Sequence, residues 1–319
     1  MRLILYSAML AAVIFGTAAS SPGSGHHSPT KRTDLLTKEQ ARTYLLELIN
    51  RDRATKGLDA VLLDPISQTA AQHHAEEMAV HGYMAHWDLA GKLPDQRYTE
   101  AGGADYTREN VFLARSSAGG SPVQGTLELD TAPMFTRAEV EAIDAAYFNE
   151  IPPNDGHRRN ILAAEHTHLG IGLAKAARDG TDTLANDEEF IDRYLALDPL
   201  PSACAPGDSV VVSGHPLGNS RIYSVSVARS PFPHSMSPDE LERTRNYSSP
   251  RSYATYRPGD DSPAARFVVA DDGKFRLAIK LSDDGKPGVY FITLRVAQGR
   301  FAYVASQRTV VVGKPDGQS

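Results

Sequence analysis

Cysteine is almost missing from this sequence. Cys204 is the single cysteine among 319 residues, so the chain can form no disulfide within itself. Each folded unit must therefore be stabilised by its hydrophobic core. Cys204 lies in a stretch rich in Pro, Ser and Ala at residues 201–206, which we interpret as a linker. A disulfide to a second chain is the alternative role of this thiol.

An excess of basic charge is also missing. The chain carries 33 Lys and Arg residues against 39 Asp and Glu residues, for a net charge of -6. The basic residues are scattered along the chain, whereas nucleic-acid-binding proteins group them to neutralise phosphates. We therefore expect no nucleic-acid partner.

Long apolar runs are confined to the N-terminus. Arg2 precedes an apolar run at residues 3–15, and small residues follow it up to Ser20. This order is typical of a secretory signal peptide, so we predict a signal peptide at residues 1–19 and a disordered leader at residues 20–33. No later run is long and apolar enough to span a bilayer. The protein is expected to be secreted or extracytoplasmic, in the periplasm or at the cell surface; an uncleaved anchor is the alternative.

The length of the chain and a change in its pattern predict two domains. Residues 34–197 show helix signals, including capping boxes that begin at Thr37 and Thr136, and few strands, which predicts an α/β domain. Within it, residues 89–135 are rich in Gly, Ser, Asp and Pro and predict a region dominated by loops. Residues 198–206 are the predicted linker. Residues 207–319 contain six or seven short strands with turn residues between them, which predicts an Ig-like β-sandwich.

A polar insertion at residues 230–264 interrupts these strands. It is dense in Pro, Ser, Arg and Tyr. Its tyrosines, Tyr247, Tyr253 and Tyr256, are suited to stacking on sugar rings, and its arginines to binding an acidic polymer. A variable surface loop is the alternative.

The most informative motifs lie in the first predicted domain. Residues 150–162 read Glu-Ile-Pro-Pro-Asn-Asp-Gly-His-Arg-Arg-Asn-Ile-Leu, and Leu-Gly-Ile-Gly follows at residues 169–172. Earlier, Gly-Tyr-Met-Ala-His ends at His86, and Arg-Glu-Asn occupies residues 108–110. This order of motifs resembles the CAP superfamily of SCP-like extracellular proteins, which includes cysteine-rich secretory proteins, antigen 5 and pathogenesis-related 1 proteins, and its bacterial members in particular. The resemblance covers about residues 35–197 and implies a three-layer α-β-α sandwich.

The resemblance also implies a cleft lined by two histidines and two glutamates: His86, Glu109, Glu150 and His157. In some family members this cleft binds a divalent cation, most often zinc. Imidazole nitrogens suit zinc, while the two carboxylates can ligate it or orient the imidazoles through the other ring nitrogen. Four further residues of the matching motifs are expected to support the cleft: Asn110, Gly156, Arg158 and Asn160.

Three positions depart from the family pattern. Arg108 replaces a glycine, Ala85 replaces a serine, and Tyr147 with Phe148 replaces Trp-Tyr. We expect the Arg108 guanidinium to favour the ionised form of Glu109 and to compete with a cation for it. A buried hydrogen-bond network that holds loops together is the alternative role of the four cleft residues.

Three functions follow from these observations. We favour a non-enzymatic binding protein whose cleft takes a divalent cation and an extracellular ligand, such as a peptide or a cell-surface polymer, with the β-sandwich as an adhesion or spacer module. The second is a metal-dependent hydrolase, peptidase-like or directed at the cell wall, with Glu109 or Glu150 as general base for a zinc-bound water. No motif positions a Ser or Cys nucleophile. The third is a purely structural surface protein.

Overall fold

A computed structural model describes residues 34–117, 125–244, 246–262 and 265–313. The predicted signal peptide and leader, residues 1–33, lie outside the described residues, as does Arg245 of the polar insertion. Among the helices in these ranges, none combines the length and the apolar character needed to cross a membrane.

Helices and strands alternate in the first part of the chain. The helices are α1 (Lys38–Ala54), α2 (Pro65–His81), α3 (Pro94–Glu100), α4 (Arg137–Phe148) and α5 (Gly156–Ile161). The strands are β1 (Leu35–Thr37), β2 (Leu62–Leu63), β3 (Tyr106–Ser117), β4 (Glu128–Leu129), β5 (Met134–Thr136), β6 (His168–Arg178) and β7 (Thr181–Asp192).

The long helices begin where the sequence signals predict. Thr37 and Thr136 each cap a helix as part of a complete capping box, which satisfies backbone groups at the first turns of α1 and α4. Asp64 caps α2, and Pro65 is the first residue of this helix. Proline is tolerated there because a backbone N–H at the first position of a helix has no partner within the helix. Gly82 ends α2 with a φ of 64°, a left-handed conformation that suits glycine.

A five-stranded sheet forms the middle layer of this part. Its order is β2-β6-β7-β3, with β4 also paired to β6, so β3 lies at an edge. Helices α1, α4 and α5 share a hydrophobic core with one face of the sheet, and α2 shares a core with the other face. The sheet is therefore covered by helices on both sides, in three layers.

Two glycines of β6 allow α2 to lie close to the sheet. A Cβ atom on Gly170 would come within 2.3 Å of the Ser67 backbone, and one on Gly172 within 2.1 Å of the Ala71 carbonyl oxygen. Neither position has room for a side chain, so close packing of helix on sheet explains the Leu-Gly-Ile-Gly motif.

The prediction of a loop-dominated region at residues 89–135 is wrong in two places. Both α3 and the whole of β3 lie within it. Their charged residues suggest exposure to solvent, yet Arg97 of α3 and Glu109 of β3 are buried and form an ion pair. A polar residue that is buried with its partner leaves no hydrophobic pattern in the sequence.

The second part of the chain is built from strands with one short helix, α6 (Pro238–Leu241). The strands are β8 (Leu195–Leu197), β9 (Ala203–Cys204), β10 (Ser209–Pro216), β11 (Arg221–Ser230), β12 (Ser252–Tyr256), β13 (Asp261–Ser262), β14 (Ala265–Val269), β15 (Phe275–Lys280), β16 (Gly288–Gln298) and β17 (Phe301–Val312). They form two five-stranded sheets, with orders β13-β14-β15-β10-β8 and β12-β11-β16-β17-β9. Residues of both sheets share one hydrophobic core. The Ig-like type of this arrangement stays a prediction.

Two short strands lie near the predicted domain boundary. β8 falls at the end of the predicted first domain, but it pairs with β10. β9 falls in the predicted linker and pairs in parallel with β17. Both β8 and β9 therefore belong to the sheets of the second part of the chain. The bounds 34–197 and 207–319 stay a prediction.

The polar insertion contacts the first part of the chain. Leu241 of α6 is fully buried in the core on the α2 side of the first sheet. The backbone N–H of Met236 donates to the Leu89 carbonyl oxygen at 2.9 Å. The insertion thus completes a core of the first part of the chain and is more than a surface loop.

Strand β17 also contacts the first part of the chain, since the Ser306 hydroxyl donates to the Ala104 carbonyl oxygen at 2.5 Å.

Candidate functional site

Two of the four predicted cleft residues, His86 and Glu109, form a first pair in direct contact. His86 lies in the turn after α2, and its Nδ1 is 2.7 Å from Glu109 Oε2. Glu109 projects from β3, and its side chain is 0% exposed. The carboxylate therefore fixes the orientation of the imidazole inside the protein.

Arg97 of α3 holds this pair in place. Its Nη2 contacts Glu109 Oε1, and its Nη1 donates to the His86 carbonyl oxygen at 2.8 Å. Burial opposes ionisation of Glu109, but the Arg97 guanidinium and the His86 hydrogen bond outweigh it and lower the pKa of this carboxyl below its usual range. Both oxygens of Glu109 are thus engaged by groups of the protein.

The guanidinium that neutralises Glu109 is not the one expected from the sequence. Arg108 bonds Glu165 instead, with Nη2 2.6 Å from Oε1. Successive side chains of a strand project to opposite faces of the sheet, so Arg108 and Glu109 point away from each other. Arg97 takes the expected role from a different element.

Tyr247 of the polar insertion covers one side of His86. Its ring centroid lies 5.1 Å from that of His86 and 5.9 Å from that of Trp87, edge-on to both. Burial raises the pKa of the Tyr247 hydroxyl well above its usual range. A residue from the second part of the chain therefore forms part of the wall around a cleft histidine.

The other two predicted cleft residues, Glu150 and His157, form a second pair in direct contact. His157 Nδ1 is 2.6 Å from Glu150 Oε1. Glu150 Oε2 accepts the backbone N–H groups of His157 at 2.8 Å and of Arg158 at 3.3 Å. The carboxylate therefore caps the start of α5 and orients the imidazole of that helix at the same time.

The supporting residues predicted from the sequence join a buried hydrogen-bond network. Asn110 Nδ2 donates to Glu188 Oε2 at 3.1 Å, and Asn160 Nδ2 donates to Asn110 Oδ1 at 3.0 Å. His166 continues the chain, with Nε2 3.1 Å from Asn160 Oδ1 and Nδ1 2.5 Å from Asp192 Oδ1. This network ties β3, β7 and α5 together.

Two further supporting residues lie at α5. Gly156 is its first residue and is buried. The Arg158 guanidinium lies over the Phe148 ring, 5.2 Å from the centroid.

The two pairs lie beside the edge strand β3 without merging into one cluster. Glu109 projects from one face of the sheet toward His86. Asn110 projects from the opposite face, where its Nδ2 lies 3.5 Å from the His157 carbonyl oxygen. Within the residues described, no three of the four cleft residues bring ligand atoms within 4.8 Å of one another. A cavity of about 620 Å³ next to Lys175 and Glu139 contains none of them.

The donor chemistry of the two pairs fits a cation held by imidazoles. In each pair Nδ1 faces a carboxylate, so the neutral imidazole carries its lone pair on Nε2. Zinc-binding histidines are commonly oriented in this way. Because each glutamate bonds Nδ1, on the other side of the ring from Nε2, the glutamates orient the imidazoles and do not face a cation at Nε2.

Sequence reasoning missed a set of buried groups on the α2 side of the sheet. This set consists of three residues that are each at most 1% exposed: His74, Asp187 and Glu189. Burial and the charge of Arg97 lower the pKa of His74 to about 3. Burial, followed by the charge of Glu109, raises the pKa of Asp187 well above its usual range. The run Asp-Glu-Glu at residues 187–189 was the available signal, since three acids stand there between apolar residues of a strand.

Comparisons with known proteins were made on the sequence and on the structure. Residues 46–186 match the family model CAP, described as the cysteine-rich secretory protein family. A search of curated proteins finds no match.

Two solved structures show limited similarity. One is an extracellular protein containing an SCP domain from Bacillus anthracis str. Ames, with 19% identity over 50% of this chain and 44% of that chain, and a TM-score of 0.32. The match thus spans less than half of that protein. The other comes from a study of T cell specificity and activation by the bacterial superantigen toxic shock syndrome toxin-1, with 16% identity over 37% of this chain and 98% of that chain, and a TM-score of 0.23.

The family match confirms what the order of motifs predicted. It begins within α1 and ends within β7, and so contains both His–Glu pairs. Residues 46–186 therefore form a CAP domain, the domain of the cysteine-rich secretory protein family.

Proposed function

We propose that this chain is a secreted, non-enzymatic binding protein whose CAP cleft takes a divalent cation and an extracellular ligand. One observation carries the proposal: two buried histidines, His86 and His157, are each oriented by a glutamate through Nδ1. Each imidazole would offer Nε2 to a cation, zinc by preference. The cation would supply a positive centre for an anionic group of the ligand, such as a peptide carboxylate or an acidic cell-surface polymer.

A site of this kind is expected to bind weakly and exchangeably. The cation at Nε2 would have two imidazole ligands from the protein, whereas structural zinc sites usually have four protein ligands. Open coordination positions would remain for water or for the extracellular ligand.

The engaged glutamates favour binding over hydrolysis. A metal-dependent hydrolase needs a carboxylate that can accept a proton from a metal-bound water. Glu109 bonds His86 and Arg97, and Glu150 bonds His157 and the start of α5. Both carboxylates lie on the Nδ1 side of their imidazoles, so neither faces a water on a cation held at Nε2.

The second part of the chain is proposed to act as an adhesion or spacer module that also shapes the cleft. The position of Tyr247 beside His86 and the burial of Leu241 in the first part of the chain support this proposal. A ligand that approaches His86 would meet Tyr247 and Trp87.

Calorimetric titration of the purified protein with Zn²⁺ tests the proposed cleft. We expect the double variant His86→Ala/His157→Ala to lose a binding event that the wild type shows. His168→Gln, at a half-buried histidine outside both pairs, is the matched control and should titrate like the wild type. Equal heats for wild type and double variant would contradict the cation site. Hydrolysis of a peptide or cell-wall substrate that a chelator abolishes and Zn²⁺ restores would contradict the non-enzymatic assignment.

A further inference from the structure

A second group of ligating atoms lies inside the protein, next to the first pair. His74 of α2, Glu109 of β3 and Asp187 of β7 each offer one ligand atom, and these three atoms lie within 4.8 Å of one another. In the antiparallel pairing of β7 with β3, Asp187 lies opposite Val111. Val111 is two residues from Glu109 in the chain. Since side chains two residues apart share a face of the sheet, Glu109 and Asp187 both project toward α2.

His74 has a lone pair without a partner. Its Nε2 lies 2.8 Å from the Ala85 carbonyl oxygen, so Nε2 carries the proton and Nδ1 the lone pair. No hydrogen-bond donor pairs with Nδ1, although the residue is only 1% exposed. An imidazole fixed by a backbone carbonyl through one nitrogen, with the lone pair of the other nitrogen unpartnered, has the state of a metal-binding histidine.

The acidic groups beside His74 are equally unsatisfied. Asp187 and Glu189 are 0% exposed, and apart from the neighbouring Glu109 carboxyl group, which faces Asp187, no group pairs with their oxygens. Buried polar groups without partners are strongly unfavourable. When ionised, the three carboxylates of Glu109, Asp187 and Glu189 face one guanidinium, that of Arg97, so two negative charges lack compensation. A divalent cation carries the charge that is missing.

We propose that His74, Glu109 and Asp187 bind a divalent cation in the interior between α2 and the sheet. This site is separate from the Nε2 positions of His86 and His157. A set of one imidazole and two carboxylates suits zinc or a similar transition metal. Glu189 adds negative charge to the site.

The ion pair of Glu109 with Arg97 is compatible with this role. Glu109 Oε1 contacts Arg97 and Oε2 contacts His86. A carboxylate offers about four lone-pair sites on its two oxygens, so it can bind a cation while it keeps both contacts. The positive charge of Arg97 reduces the attraction of the site for any cation. The site therefore favours a cation that also gains a bond to the His74 nitrogen.

Metal analysis of the purified full-length protein, after loading with Zn²⁺ and removal of free metal, tests the site. We expect His74→Gln and Asp187→Asn to lose the interior zinc, which the wild type retains at about one per chain. Two neighbours are matched controls: His73→Gln changes an exposed histidine beside His74, and Glu188→Gln changes a buried acid beside Asp187 on the opposite face. Both controls and the variant His157→Ala, whose side chain does not contact Glu109, should retain this zinc. Wild-type protein that retains no zinc, or zinc that is unaffected by His74→Gln and Asp187→Asn, would overturn the proposal.

Zinc X-ray absorption on the wild-type protein gives an answer that does not depend on the folding of any variant. The expected coordination shell contains one imidazole nitrogen and carboxylate oxygens. A shell with two imidazoles would assign the retained zinc to His86 and His157 and would overturn the interior site. A protein without metal would instead hold these buried acids in their neutral, protonated form.

Discussion

The two His–Glu pairs are built from the same residue types but are stabilised in different ways. The Glu109 side chain is 0% exposed and is compensated by the guanidinium of Arg97. The Glu150 side chain is 12% exposed and is compensated by backbone N–H groups at the start of α5. A buried carboxylate therefore needs a full opposite charge, whereas a half-buried one is satisfied by a helix terminus. The following predictions test this difference.

The largest expected effect is that of removing the buried charge. Glu109→Gln should lower the free energy of unfolding by about 3 to 5 kcal/mol, because it breaks the buried ion pair between Glu109 and Arg97. Glu150→Gln should cost only about 1 kcal/mol, since an amide oxygen can still accept the N–H groups at α5. Urea unfolding of both variants in the presence of a chelator measures the two losses. Equal losses would show that the pairs are energetically alike.

A second test separates packing from binding at α5. Ile161 is 0% exposed, so Ile161→Ala should cost about 2 to 5 kcal/mol through lost contacts and a cavity. Leu162 is half-buried, and Leu162→Ala should cost about 1 kcal/mol. His157→Gln should change stability little but abolish Zn²⁺ binding in the cleft. If His157→Gln destabilises the protein as much as Ile161→Ala, the Glu150–His157 pair has a structural role.

A pH-dependent test applies to the α4 side of the sheet. Burial and the neighbouring Asp52 raise the pKa of Asp144 from 3.8 to about 6, against the opposing charge of Arg51. Because the folded pKa lies above the unfolded value, the contribution of Asp144 is fully present below about pH 4 and is lost as the pH rises to about 6.

Asp144→Asn should remove this dependence and be more stable than the wild type at pH 7, by about 1 to 3 kcal/mol. Urea unfolding from pH 4 to pH 7 measures the difference between the two proteins, and Asp179→Asn, at an exposed aspartate, is the control. A constant difference across this range would contradict the raised pKa.

The smallest effect on stability is expected at Tyr247. Tyr247→Ala should cost about 1 kcal/mol from lost aromatic contacts, and it should expose His86 without changing His157. The rate at which diethyl pyrocarbonate modifies each histidine, followed by mass spectrometry, should rise several-fold at His86 alone. Tyr253→Ala, in the same insertion, should leave both rates unchanged. Unchanged modification of His86 in Tyr247→Ala would show that Tyr247 does not limit access to the cleft.

Several features of the structure were predictable because their cause lies in adjacent residues. Capping boxes at Thr37 and Thr136 predicted where α1 and α4 begin, and short strands separated by turn residues predicted the β-rich second part. The motifs identified the four residues of the two His–Glu pairs, but not which histidine contacts which glutamate. The elements α3 and β3 were missed in part because their polar residues are buried through pairing.

The partners of the cleft residues were not predictable. Arg97, His74 and Tyr247 all lie beside the first pair, but none belongs to a motif that names it. Arg108 is next to Glu109 in the sequence and was the natural candidate for its counter-ion, yet it bonds Glu165. The sequence spacing alone cannot identify a contact that forms between elements far apart in the chain.

The sequence by itself determined the CAP domain, the helix starts, the β-rich second part and the four residues that form the two His–Glu pairs, because motifs, caps and alternation act over a few neighbouring positions. The tertiary structure decided which charges meet: Arg97 with Glu109, Arg108 with Glu165, and His74 with Asp187. It also brought Tyr247 onto His86. The physical reason is that burial turns a polar residue into a group that must find a partner, and only the packing of helices on the sheet determines which partner lies within reach.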